Sequence, residues 1–195
     1  MTDYQYDKEF MDALDFSLEL GFDIPKNWKN VENRFLDRKL DEKITELLKE
    51  MIGGQPIKLF IRNCLGVHWQ LIKRIEEIIG TTPVLTIGSF RVNEGKKRFD
   101  FSREDVNKWV NTGIENPNNV NLHAWLTLPS MEILDFTLPA AMAYLNTPKD
   151  KNIGIGVLAS HWTELKGGLR YEPVAIGNDI PPKFNLPPTF IFRLH

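Results

Sequence analysis

Residues Asn121 to Thr137 read NLHAWLTLPSMEILDFT, and this stretch decides the fold. It holds two apolar runs joined through Pro129 and Ser130, a pattern that predicts an antiparallel hairpin. If the turn is centred on position 129, residues whose numbers sum to 258 face each other, and His123 then faces Asp135. The hairpin is therefore expected to make a histidine and a carboxylate neighbours.

The chain has a single cysteine, Cys64, within RNCLGVHWQLIKRI from Arg62 to Ile75. Asn63 is a residue type that often caps a helix, and the apolar spacing that follows predicts a central helix with the cysteine in its first turn. Unpaired backbone N–H groups and the helix dipole favour a thiolate there. An imidazole can take the thiol proton and a carboxylate can orient that imidazole, so Cys64, His123 and Asp135 form the candidate catalytic set.

The spacing of apolar residues along the rest of the chain predicts one α+β domain, in which the central helix packs on an antiparallel sheet. Residues 1–55 are expected to form an N-terminal helical layer, and residues 56–195 the catalytic core and C-terminal strands. The predicted helices cover 8–20, 40–52, 64–79, 103–110 and 140–145; the predicted strands cover 56–61, 83–90, 122–128, 131–137, 153–160 and 169–176. Residues 91–98 are expected to form a solvated basic turn.

Composition excludes several classes of partner. A chain of 195 residues with 42% hydrophobic residues is long enough to bury a core. Its net charge of −2 gives no general attraction to nucleic acid or to an anionic membrane surface, so neither is an expected partner.

Cysteine usage and the N-terminus bear on the compartment. One cysteine cannot form an internal disulfide, and the acidic N-terminus lacks the features of a signal peptide. We expect a cytoplasmic protein, with export only by a route that needs no signal peptide.

The candidate set also carries a family resemblance. A cysteine opening a helix, a strand with a glycine (PVLTIG), then HAW on one strand and LDFT on the next resemble the transglutaminase-like branch of the papain-like cysteine enzymes. The resemblance covers roughly Asn63 to Thr137. It implies a papain-like, transglutaminase-like α+β fold, with Cys64 as nucleophile, His123 as general base and acid, and Asp135 as the residue that orients the imidazole.

The same resemblance implies acyl transfer from an amide through a thioester, on a peptide or protein substrate. Water is the favoured acceptor over an amine, and neither a metal nor an organic cofactor is required. A non-catalytic interaction module on the same fold is the main alternative. A delivered effector or a cell-wall peptide amidase would keep the chemistry with another target.

Other residues are candidates for secondary roles. Gln55, Asn63 and Trp125 are possible substrate or oxyanion contacts; the backbone N–H of Cys64 is the stronger oxyanion candidate, and core packing is an equal expectation for Trp125. His68 lies four residues after Cys64, which offers a rival Cys–His dyad or two metal ligands. Two ligands do not close a zinc site, so helix packing is the favoured interpretation of His68. His161 is expected to be structural.

Overall fold

The computed structural model describes residues 4–26, 28, 30–52, 62–93, 95–116, 120–146 and 156–186. Gln55, the predicted strand at 56–61 and residues 153–155 lie outside the described residues. The elements in chain order are α1 (Tyr6–Glu19), α2 (Arg38–Ile52), α3 (Cys64–Ile79), β1 (Val84–Val92), α4 (Arg103–Thr112), β2 (His123–Thr127), β3 (Glu132–Asp135), α5 (Leu138–Asn146), β4 (Leu158–His161), β5 (Leu169–Ile176) and α6 (Ile180–Lys183).

The described residues form an α+β arrangement with one five-stranded antiparallel sheet and six helices, so the predicted fold class is confirmed at that level. The strand order is β4-β3-β2-β1-β5. The central helix α3 packs on β1 and β2. Among the described helices, none is both long enough and apolar enough to cross a membrane.

Two hydrophobic cores lie on opposite faces of the sheet, because successive side chains of a strand point to opposite sides. On one face the helices α2 and α3 pack against alternate strand residues such as Ile87 and Leu126. On the other, α1 packs against a set that includes Phe90, Trp125 and Tyr171. The buried apolar residues of α1 belong to this second core and those of α2 to the first, but Phe16 and Leu20 near the end of α1 also pack against the first core. The expected N-terminal helical layer stays a prediction.

Local signals fix the ends of the central helix. The Asn63 side chain accepts a hydrogen bond from the Gly66 N–H at 3.1 Å, which confirms the predicted cap and makes Cys64 the first helical residue. At the other end Gly80 adopts a left-handed φ of 76°, and its N–H donates to the Glu76 carbonyl. The short range of these contacts explains why the sequence predicts them.

The hairpin forms, but with a different register from the predicted one. Leu126 pairs with Leu134 and Thr127 with Ile133, so paired numbers sum to 260 rather than 258. The loop includes Met131, which adopts a positive φ of 60°. Because the two sums differ by an even number, each side chain points to the same side of the sheet as in the predicted register.

The outer edge of β5 is closed by side chains from the start of the chain. The Tyr4 hydroxyl donates to the Tyr171 carbonyl and accepts from the Tyr171 N–H, both at 3.0 Å. The Ile176 N–H donates to the Ser17 hydroxyl at 2.7 Å. Pro173, at a position between them, has no N–H to offer.

Candidate active site

The three predicted catalytic residues meet at one end of the sheet. Cys64 opens α3, His123 begins β2 and Asp135 ends β3. Since β2 and β3 are antiparallel, the start of one and the end of the other lie at the same end. The Cys64 thiol lies 3.7 Å from the carbonyl oxygen of Leu122, the residue before His123, and its proximity raises the pKa of the His123 imidazole.

The His123 ring is held by the carboxylate of Asp135. Nε2 of the ring lies 2.6 Å from Oδ2 of Asp135, with both side chains buried. An ionised carboxylate only accepts hydrogen bonds, so Nε2 carries a hydrogen. This leaves Nδ1 as the ring nitrogen that is not bonded to the carboxylate. By continuation of the pairing, Asp135 stands opposite Trp125, so the His–Asp contact is diagonal rather than direct.

Asp135 is surrounded by hydrogen-bond donors. Its Oδ2 also accepts from the Tyr171 hydroxyl at 2.8 Å. Its Oδ1 accepts from the N–H groups of Thr137 and Leu138, each at 2.9 Å, and from the Thr137 hydroxyl at 3.2 Å. Burial raises the pKa of Asp135, but the charge of His123 and these hydrogen bonds outweigh it and hold the pKa below its usual range. The carboxylate therefore stays ionised.

His123 is correspondingly biased toward its charged form. Burial lowers the pKa of its imidazole, whereas the charge and hydrogen bond of Asp135 and the contact with Cys64 raise it. The raising effects are larger, so the pKa of His123 lies above its ordinary value of 6.5. A protonated imidazole beside a thiol is the state that stabilises a thiolate.

Aromatic rings enclose the imidazole. Phe99 stacks on it with ring centroids 5.2 Å apart and an interplanar angle of 25°. Phe90, Trp125 and Tyr171 complete the enclosure at 5.6, 6.0 and 6.3 Å. Only 3% of His123 remains exposed, so the ring is shielded from bulk water.

Trp125 does not wall an open cleft. It is fully buried, and its indole N–H donates to the Tyr6 hydroxyl at 2.8 Å on the α1 face. Of the two expectations for this residue, the structure favours core packing over substrate contact. Tyr171, which the sequence does not single out, is the aromatic residue that makes a polar contact within the site.

A glycine faces His123 across the sheet for a steric reason. Gly88 of β1 pairs with His123, and the pairing with β5 shifts between Ile87 and Gly88. A Cβ atom on Gly88 would overlap the carbonyl oxygen of Glu172 and come within 2.7 Å of the Trp125 ring. The glycine of the PVLTIG strand is thus required by the close approach of the neighbouring chain.

His68 is neutral, with its hydrogen on Nδ1. That atom lies 2.7 Å from the Cys64 carbonyl oxygen, which can only accept, and Nε2 accepts from the Phe136 N–H at 2.9 Å. Burial is the main reason that its pKa falls to about 4. The separation of 3.7 Å between Nε2 and Oδ1 of Asp135 is therefore not an ion pair. His68 is not a rival general base, because its proton points at the carbonyl of Cys64.

Cys64 is partly exposed and lines a small pocket. This cavity of about 30 Å³ is lined by Arg62, Cys64, Leu65, Ile114, Val120, Leu122 and Leu186. Ile114 and Val120 also line a wider groove of about 410 Å³ that extends along α4 past Trp109.

The other candidates have different outcomes. Asn63 caps α3, and its contact with substrate stays a prediction. His161 bonds the Thr163 hydroxyl at 2.7 Å and pairs with Glu132, at the far end of β3 from Asp135, which fits a structural role. In the part of the chain that the structure describes, no three His, Cys, Asp or Glu side chains are grouped so as to hold a metal ion.

Comparison with protein-family models, with curated proteins and with solved structures finds no match for this chain.

Proposed function

We propose that this protein is a cysteine-dependent amide hydrolase or acyl transferase of the transglutaminase-like, papain-like kind, acting on a peptide or protein. One observation supports the proposal: the His123 imidazole is bonded to the buried carboxylate of Asp135 at 2.6 Å, and a partly exposed thiol at a helix N-terminus, that of Cys64, raises the pKa of this imidazole. This is the nucleophile, base and orienting group that acyl transfer requires.

In the proposed reaction the thiol proton rests on Nδ1 of His123, and the Cys64 thiolate attacks the amide carbon. The backbone N–H of Cys64, at the first position of α3, stabilises the negative oxygen of the tetrahedral intermediate. The carbon–nitrogen bond then breaks, and the leaving amine takes the proton from His123. This step leaves a thioester on Cys64.

The second half of the cycle returns the enzyme to its starting state. Water, or less favourably an amine, attacks the thioester carbon and gives its proton to His123. The carbon–sulfur bond breaks, which releases a carboxylic acid or a new amide and restores the thiol. Asp135 stays ionised throughout and keeps Nε2 protonated, so that Nδ1 does the proton transfers.

Thiol alkylation tests the proposal without knowledge of the substrate, because Cys64 is the chain's single cysteine. Native protein should react with iodoacetamide at pH 6 about 10- to 100-fold faster than the same protein unfolded in urea, and His123→Gln should remove that advantage. Equal rates in the folded and unfolded states would overturn the proposal and favour a non-catalytic interaction module.

Turnover provides the second arm of the test. A library of peptide amides and isopeptide-linked peptides is screened for amine release, and Cys64→Ala should abolish every activity found while its urea unfolding stays cooperative. Release that persists in Cys64→Ala would show that the thiol is not the nucleophile.

A further inference from the structure

His68 connects the two halves of the proposed site through its imidazole. Its Nδ1 donates to the carbonyl of Cys64, the residue that carries the nucleophile. Its Nε2 accepts from the N–H of Phe136, the residue that directly follows Asp135. One ring therefore joins the first turn of α3 to the end of β3.

The His68 ring is constrained by burial and by hydrogen bonds at both of its nitrogens. His68 is fully buried, and its ring packs edge-on against Phe136 with centroids 5.8 Å apart. The two partners are backbone groups with fixed hydrogen-bonding roles, so only one tautomer satisfies them. A buried ring with both nitrogens engaged has little freedom to move, and the atoms that it bonds are held with it.

We propose, resting on the proposed function, that His68 is a positioning residue that fixes Cys64 relative to the His123–Asp135 pair. The nucleophile and its base lie on different elements, a helix and a strand, whose packing is largely apolar. Apolar packing is non-directional, whereas two hydrogen bonds from one rigid ring set both distance and orientation. A displacement of about 1 Å between reacting groups can reduce a rate about 100-fold.

Two substitutions separate the ends of the connection. His68→Asn keeps an amide donor near the place of Nδ1 and loses the acceptor for Phe136. His68→Gln carries an amide oxygen to the place of Nε2 and loses the donor to Cys64. Val67→Ala is the matched control, since it removes buried apolar volume from the same turn of α3 without touching either hydrogen bond.

The measurements are the rate of Cys64 alkylation from pH 5 to 9 and the free energy of unfolding in urea. Both His68 variants should alkylate about 10- to 100-fold more slowly than wild type at pH 6, with the midpoint of the pH profile moved toward that of the unfolded chain. Val67→Ala should keep the wild-type rate within about twofold even where it loses more stability.

Each outcome decides the proposal. If the wild type is activated and both His68 variants match it, or if Val67→Ala loses reactivity equally, the positioning role is wrong and the proposed function stands. If the wild type is not activated, both proposals fail. Nitrogen-15 NMR of the wild type adds a check that requires no variant to fold: His68 should carry its hydrogen on Nδ1, and a hydrogen on Nε2 would overturn the inference.

Discussion

Replacing Tyr171 with phenylalanine removes one buried hydroxyl and leaves the ring in place. That hydroxyl donates to Oδ2 of Asp135 at 2.8 Å, on the oxygen that also contacts Nε2 of His123. No cavity is created, and Oδ2 keeps one donor. The substitution therefore isolates a single hydrogen bond to a buried charge.

The structure sets the expected magnitude. A hydrogen bond to a charged group contributes about 1.5–3 kcal/mol, so the free energy of unfolding at pH 7 should fall by that amount. With one donor fewer, the carboxylate interacts more strongly with His123, and we expect the pKa of that imidazole to rise by roughly one unit.

The assay is NMR titration of the His123 ring together with urea unfolding. Tyr6→Phe is the matched control: Tyr6 is also fully buried, but its hydroxyl contacts the neutral groups of Thr127 at 2.7 Å and Trp125 at 2.8 Å. Tyr6→Phe should cost stability and leave the His123 titration unchanged. The reasoning would be refuted if the pKa of His123 were unchanged or lower in Tyr171→Phe. It would also be refuted if that pKa rose equally in Tyr6→Phe.

The remaining predictions concern the glycine opposite His123 and the two buried histidines. Gly88→Ala should lower the free energy of unfolding by about 1–3 kcal/mol through overlap with the neighbouring strand, whereas Gly156→Ala, where a Cβ meets nothing within 4 Å, should not; equal urea midpoints would contradict this. The pKa of His123 is raised, so its contribution to stability is fully present below pH 6.5 and is lost as the pH rises above it. The free-energy difference between wild type and His123→Gln should therefore shrink from pH 6.5 upward, and a constant difference would contradict the assignment. The pKa of His68 is lowered to about 4, so wild type should lose stability relative to His68→Gln as the pH falls from 6.5 toward 4. Differences against each variant are needed because burial also raises the pKa of Glu9, to about 7. This lowers wild-type stability as the pH rises toward 7, the same direction as the His123 effect and opposite to the His68 effect.

The sequence predicts well those features whose interactions span a few residues. The Asn63 cap forms as expected, because it is completed within one helical turn. The capping box of Ser102 and Asp105 at the start of α4 is equally local. The alternation of the hairpin also placed His123 and Asp135 on one face. These features depend only on residues that lie near one another in the sequence.

The hairpin register is where local reasoning failed. Residues with positive φ in short hairpin loops are usually glycine or asparagine, and the loop instead uses Met131 at 60°. Methionine gives no such signal, so the sequence centres the turn on position 129, whereas the observed pairing centres it on position 130. The resulting shift in the sum of paired numbers is even, which is why the His–Asp contact survives.

Contacts between distant segments could not be predicted from the pattern. Tyr171 meets Asp135 across 36 residues, and its strand shows only that an aromatic residue is buried there. Trp125 lies on the predicted face of its strand, but that face is covered by α1, whose position depends on long-range packing. Helical spacing placed His68 beside Cys64, while its second partner, the Phe136 N–H, becomes visible only in three dimensions.

The closure of the β5 edge has a consequence for how this protein behaves when its first helix is lost. An open strand edge is a template on which a second chain can add its own strand. Here the outward N–H groups of Tyr171 and Ile176 are occupied by hydroxyls of Tyr4 and Ser17, both supplied by the N-terminal segment. Proteolytic removal of that segment would free these N–H groups to pair with a strand of a second molecule. We therefore expect protein that has lost its first twenty residues to be less soluble than the intact chain.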